Sequence, residues 1–360
     1  MRLVQASDMH LDSPFATLDD ELGRRRRKGQ METFQRLIDL VRTEQADALL
    51  LPGDLFERRS TRLGTVRWAL DLIGSLAPVP VLIAPGNHDP LERSGFWNLT
   101  RPDNVVVFGG TWQRHQVADA AIWGRGFLEE HEPADPLADF PSGERPDVLI
   151  FHGDVDKTPS DSDYAPFSRS HLAELKAIWA AVGHIHRPMP IGELGAYAGS
   201  LEPLGFDEPG VHGALLVEVD LKAREQRWRL VPLARCRYET VSVDLTARTD
   251  QQALESFNDQ TRQWVRETTL LRVELVGPGA EEGWPVGRWQ GEIGSDWVAS
   301  EVRDLRLPAV DLTDTFTVPG RFARRVMAEM ETADEARREA LADALRIGLA
   351  ALEGRRANDY

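Results

Sequence analysis

The 360 residues carry 42 lysines and arginines against 58 aspartates and glutamates, a formal net charge of −16, so the overall balance does not point to a polyanion as partner. With 42% hydrophobic and 28% charged residues the composition is that of an ordinary soluble globular protein, long enough for one large and one smaller unit. No apolar run nears the roughly 20 residues of a membrane helix, the lone Cys236 excludes an internal disulfide, and a first strand starting at Arg2 leaves no room for a signal peptide; a cytoplasmic protein without membrane association is expected.

In chain order, Leu3-Val4-Gln5-Ala6-Ser7 predicts a strand that ends in Asp8-Met9-His10. Leu11-Asp12-Ser13-Pro14-Phe15 must be loop, and residues 31–44, with Phe34, Leu37, Ile38 and Val41 at helical spacing, predict a helix over the sheet. The run Arg24-Arg25-Arg26-Arg27-Lys28 before it reads two ways, as a grip on phosphate or as the solvated first turn of that helix. Ala48-Leu49-Leu50-Leu51-Pro52, an apolar run closed by Pro and Gly, has the pattern of a buried parallel strand, and the first charged group beyond it is Asp54. Ser60-Thr61 is expected to cap a second helix with Val66, Leu70, Ile73 and Leu76 on one face. A strand over 79–84 runs through Pro85 into Gly86-Asn87-His88-Asp89.

Val105-Val106-Val107-Phe108 and Ala121-Ile122-Trp123-Gly124 predict strands of a second sheet, and the acidic, proline-rich residues 129–146 an exposed connection. Val148-Leu149-Ile150-Phe151 leads into His152-Gly153-Asp154. After a short helix over 170–176, the run 177–182 leads into Gly183-His184-Ile185-His186, and strands return over 199–219. Beyond 236 a strand over 238–243, a helix over 251–267, a strand over 270–276 and another near 297–302 make an α+β unit of about 75 residues without metal-ligand spacing. Its Trp264, Trp284, Trp289 and Trp297, interleaved with Arg262, Arg266, Arg288 and Arg303, suit either stacking on bases or a core. Residues 321–352 predict a helical tail whose stripe of Phe322, Val326, Met330, Leu341, Leu345 and Leu349 needs a surface to cover, in this chain or another.

Five strands thus deliver Asp, His and Asn to one edge, where an open α/β sheet does its chemistry, and Gly86, Gly153 and Gly183 allow the sharp turns that convergence requires. Any one of these side chains has a plain alternative as a turn or packing residue, but five of the nine histidines fall at these ends. Oxygen from Asp and Asn mixed with imidazole, and no thiolate, suits Mn²⁺, Fe²⁺ or Zn²⁺ better than Ca²⁺ or Mg²⁺. Asp8, His10, Asp54, Asn87, His152, His184 and His186 are too many ligands for one ion and about enough for two, with the central Asp54 as the bridge.

The series Asp8-x-His10, Gly53-Asp54, Gly86-Asn87-His88-Asp89, His152 and Gly183-His184-x-His186 resembles the calcineurin-like metallophosphoesterase signature at every metal-ligand position, over residues 1 to about 200. The resemblance implies a four-layer α/β/β/α sandwich over 1–235, a small α+β cap over 236–311 and a C-terminal helical segment over 312–360. That order, and the opening Asp8-Met9-His10-Leu11-Asp12-Ser13-Pro14-Phe15, is similar to the SbcD and YhaO type of DNA repair nuclease. In that family the cap faces DNA beside the metals, the helices after it bind a coiled-coil ATPase of the SbcC/YhaN kind, and the chain is usually dimeric.

The resemblance also implies roles. Asp8, His10, Asp54 and His186 bind one ion, and Asp54, Asn87, His152 and His184 the other; manganese comes first, with iron, zinc or magnesium as alternatives. His88 stabilises the transition state or protonates the leaving oxygen, and Asp89 orients it. The chain departs from many nucleases of the group at Glu57, where they carry a second histidine, which puts exonuclease activity in question. Two other functions use the same sequence: a phosphoesterase for a small phosphodiester or phosphomonoester, and a non-catalytic scaffold for an ATPase.

Overall fold

Every apolar run that ends in Asp, Asn or His is a strand in the computed structural model, which describes residues 1–158, 160–246, 248–277, 283–306, 316–333 and 335–352. The chain divides into two units, Met1–Arg237 and Tyr238–Tyr360. The strands of the first are β1 (Arg2–Gln5), β2 (Ala48–Leu51), β3 (Val81–Ile83), β4 (Val105–Val107), β5 (Gln113–Val117), β6 (Ala120–Gly124), β7 (Val148–His152), β8 (Trp179–Gly183), β9 (Met189–Pro190), β10 (Gly195–Tyr197), β11 (Gly213–Asp220) and β12 (Glu225–Pro232). They form two six-stranded sheets, β12-β11-β1-β2-β3-β4 and β5-β6-β7-β8-β10-β9. β1 to β4 run parallel in the first, as do β6, β7, β8 and β10 in the second.

Period-two alternation places the central strands between two cores. Leu3, Ala48, Leu50 and Leu82 meet Ile122, Val148, Ile150 and Trp179 of the second sheet. Val4, Leu49, Leu51 and Val81 face the opposite way, onto Phe34 and Ile38 of α1 (Asp20–Thr43) and Val66 and Ile73 of α2 (Leu63–Gly74). The outer face of the second sheet, with Leu149 and Phe151, is covered by Leu172 of α3 (Arg169–Glu174) together with Trp112 and Leu137. The result is the four-layer α/β/β/α sandwich that the resemblance implies. Buried Gln5 ties the sheets together: its amide donates to the Ala196 carbonyl at 2.8 Å, and its oxygen accepts from the Trp179 indole at 2.9 Å.

Three local expectations are corrected. β4 extends the first sheet, beside β3, and only β6 of that predicted pair joins the second. α1 begins at Asp20, capped by Asp19, so the basic run lies inside a helix; Arg26 turns inward, 1% exposed, to pair with Glu202 at 2.6 Å. Neither Ser60 nor Thr61 caps α2. Asp12 reaches across to accept from Arg62 N–H at 3.0 Å and from the Thr65 hydroxyl at 2.6 Å, while the Thr61 hydroxyl donates to the Leu11 carbonyl.

In the second unit, β13 (Arg237–Asp244), β14 (Thr269–Val276) and β15 (Ala299–Asp304) form a three-stranded sheet. α4 (Asp250–Thr261) and an unpredicted helix, α5 (Val286–Ile293), pack on it. Trp289 and Trp297 are buried in that core, and Trp264 and Trp284 pack against it, so the tryptophans serve packing. The tail is two helices, α6 (Val318–Thr332) and α7 (Glu335–Leu352), whose apolar stripes cover one another through Phe322, Ala323, Val326, Leu341, Leu345 and Leu349. The predicted boundary near 311 lies outside the described residues. No described helix is long and apolar enough to cross a membrane.

Candidate metal centre

The sheets bring the ends of β1, β2 and β3 to face those of β7 and β8. Asp8 and His10 follow β1, Asp54 follows β2, Asn87 and His88 follow β3, His152 ends β7, and His184 and His186 follow β8. The sharp turns are made largely by the polar residues themselves. Asp8, His10, Asp54 and His184 have φ of 51°, 42°, 53° and 112°, backbone that costs an L-residue on the order of 1–3 kcal/mol. Cross-loop hydrogen bonds hold it, from Asp8 N–H to the Gly53 carbonyl at 3.2 Å and from His10 N–H to the Asp54 carbonyl at 3.0 Å. Gly86, Gly153 and Gly183 are not at positive φ. They are glycine for space: a Cβ at Gly86 would strike the Asp54 carboxylate, one at Gly153 the Ala165 carbonyl, and one at Gly183 the Pro52 carbonyl.

Asp8, His10, Asp54, Asn87 and His152 are buried, whereas His88 is 42% exposed and His184 and His186 are partly exposed, so the site opens on that side. Asp54 Oδ2 lies 3.4 Å from His152 Nε2 and 3.7 Å from His10 Nε2. His10 Nε2 faces His186 Nε2 at 3.2 Å, and His152 Nε2 faces the Asn87 side-chain oxygen at 3.0 Å. The outer nitrogens of two of these rings are engaged: His152 Nδ1 donates to the Pro52 carbonyl at 2.9 Å and His186 Nδ1 to Glu208 Oε1 at 2.6 Å. Asp8, His10 and His186 form one group whose ligand atoms lie within 4.8 Å of one another, and Asp8, Asp54 and His152 another. His184 stands at the side, with its N–H on Asp8 Oδ1 at 3.0 Å and its ring edge-on to His152 at 5.1 Å.

The charges are strongly coupled. Burial opposes the Asp54 carboxylate, but His152 and His10 hold it well below its ordinary range. Burial also works against protonation of His152 and His186; the charge of Asp54 raises the first to about 9, and the Glu208 hydrogen bond the second to about 9. Burial and the neighbouring His152 push His184 down to about 3. With Nδ1 of His152 and His186 occupied as donors, lone pairs of Nε2 and carboxylate converge on a small volume that only protons or cations can neutralise. That donor set fits divalent cations.

His88 and Asp89 part company. The ring partner of His88 is Glu57, whose Oε2 lies 2.7 Å from Nδ1; that bond and Asp54, against burial, raise its pKa. Asp89, expected to orient His88, instead takes backbone N–H groups on both oxygens: Gly86 at 2.8 Å, Leu55 at 2.8 Å, and Asp54 and Phe56 at 3.3 Å. It clamps the Asp54 turn to the Gly86 turn. Beside His88 opens a recess of about 190 Å³ lined by Glu57, Arg58, Arg59, Asn87 and Glu130, in which Arg58 pairs with Glu130 at 2.6 Å. Neither partner is visible in the sequence: Glu57 lies 31 residues before His88, and Glu208 lies 22 residues beyond His186 in an irregular stretch that carries no periodic signal.

Residues 1–195 match the family model described as calcineurin-like phosphoesterase, and the chain belongs to that family, whose members use a dinuclear metal centre. Among curated relatives, the DNA double-strand break repair protein Mre11 of Methanopyrus kandleri is 27% identical over 351 residues, covering 85% of this chain and 71% of the relative. The uncharacterized metallophosphoesterase YhaO of Bacillus subtilis is 25% identical over 305 residues, covering 79% and 73%. A solved structure, TT1561 of Thermus thermophilus, is similar with a TM-score of 0.38 at 13% identity, over 64% of this chain and 98% of that one.

Proposed function

We propose that this chain is a dinuclear-metal-dependent phosphodiesterase that hydrolyses DNA in repair. Asp8, His10, Asp54 and His186 hold one ion; Asp54, Asn87, His152 and His184 hold the other, with Asp54 shared. Manganese suits the mixed oxygen and imidazole set, with iron, zinc or magnesium as the other candidates. When bound, such a pair makes hydroxide available near neutral pH and neutralises charge on the phosphoryl oxygens. The chain's own residues do the rest. Glu57 holds His88 Nδ1 and Asp54 Oδ1 accepts the His88 main-chain N–H at 2.9 Å, so His88 presents Nε2 at the open side, where it gives a proton to the departing oxygen. Asp89 keeps the Asp54 turn in place.

The observation that supports the reading most is the facing of Nε2 on Nε2 in His10 and His186, and of Nε2 on oxygen in His152 and Asn87. A substrate that lies across an open edge accords with the partial exposure of His88, His184 and His186. The name of the Methanopyrus relative supports DNA as the polymer. An SbcC/YhaN-like ATPase is the proposed partner of the C-terminal helices, whose Met327 and Ile347 stay exposed outside their mutual contact; a homodimer and a cytoplasmic location complete the proposal.

The test is digestion of end-labelled linear DNA, with a circular control, in Mn²⁺ or chelator. Degradation is expected with manganese only, and His88→Ala should lose about 10²–10⁴-fold in rate at unchanged metal content. Intact DNA beside hydrolysis of bis-p-nitrophenyl phosphate would favour a small-molecule substrate, and full turnover by His88→Ala would refute its role.

A further inference from the structure

We infer that Glu208 is a positioning residue that sets the affinity of one of the two ion sites and not of the other; the inference rests on the dinuclear reading above. Its carboxylate is buried, 3% exposed. Oε1 takes the Nδ1 proton of His186 at 2.6 Å, and Oε2 accepts from the Ser200 hydroxyl and from Leu204 N–H at 2.9 Å. The backbone behind it is held as well, because buried His212 places Nε2 3.1 Å from the Glu208 carbonyl.

A carboxylate that fixes one imidazole proton aims the other nitrogen's lone pair and makes it more basic. Here that nitrogen is His186 Nε2, facing His10 at 3.2 Å. The same stretch of chain also pairs with the residue before Asp8. Ser200 bridges Ser7, and the Ser7 hydroxyl donates to Asp8 Oδ2 at 2.6 Å. Of the Asp8, His10 and His186 group, it is His186 that residues 200–208 back directly, and His186 is absent from the Asp8, Asp54 and His152 group. The side chain of His152 is held otherwise, by the Pro52 carbonyl. Glu208 is thus built into one half of the centre, and its loss should make the two sites unequal.

The test is Mn²⁺ binding to the full-length protein by titration calorimetry and electron paramagnetic resonance, for the wild type, Glu208→Gln and Glu208→Ala. Glutamine keeps an acceptor for the His186 proton without the charge. One site should weaken by about 10-fold in Glu208→Gln and about 100-fold in Glu208→Ala, while the other keeps its wild-type dissociation constant. The spectrum of a coupled manganese pair should then give way to that of an isolated ion at limiting metal. Variants that bind both ions as the wild type does overturn the inference, and so do variants in which both sites weaken in parallel, as a damaged fold would produce. A wild type that takes up one ion or none sinks the dinuclear reading and this inference with it.

Discussion

At Gly183 the question is how closely β8 can approach the turn after β2. A Cβ there would overlap the Pro52 carbonyl and come within 2.9 Å of His152 Nδ1, and neither neighbour is the free end of a flexible chain. Gly183→Ala should therefore cost about 2–3 kcal/mol, read by urea denaturation. Gly64→Ala, in the exposed first turn of α2 with nothing within 4 Å of the new methyl, should stabilise by about 0.4–1 kcal/mol. Equal effects at the two sites would show that packing around the Pro52 turn is not what demands glycine. The polar residues at the strand ends are legible in the sequence because each follows directly on its own apolar run. Their supports are not. Glu57 meets His88 31 positions later and Glu208 meets His186 22 positions earlier, and spacing carries no trace of such pairings. Asp89 sits beside His88 in the chain, yet its carboxylate turns to the backbone of the Asp54 loop.

Elements are readable wherever burial is periodic and misread where charge interrupts it. The five site strands announce themselves as apolar runs, but the first turns of α1 hold four arginines and a lysine, and only the structure reveals Arg26 as a core residue paired with Glu202. α5 is short, eight residues, and only Trp289 and Ile293 are buried, too few for a helical period to stand out. The tail reads in sequence as a helical segment whose apolar stripe needs a surface, in this chain or another; as two helices, it supplies that surface itself. Leu345, 2% exposed within this pair, tests the point. Leu345→Ala should destabilise the second unit by about 2–4 kcal/mol and leave the melting of the first unchanged in calorimetry. A negligible shift would mean that the stripes of α6 and α7 are not seated on one another.

For the molecule as a whole, both sheets of the first unit contribute to the polar cluster. The first sheet contributes Asp8, His10, Asp54 and Asn87, and the second His152, His184 and His186. Ions bound between them would join the sheets at the end where Gly183 lets β8 approach the turn after β2. Chelation should thus lower the melting temperature of the first unit and added manganese restore it, since a ligand present at 100 times its dissociation constant stabilises by about 2.7 kcal/mol per site. The net charge of −16 belongs to the same account, because two bound divalent ions offset about four units of it. The most direct measurement is anomalous diffraction at the manganese edge from crystals grown with excess manganese. Two peaks about 3.5–4 Å apart, one on either side of the Asp54 carboxylate, are the predicted result; a single peak, or none, with the imidazoles turned away from one another, would contradict it.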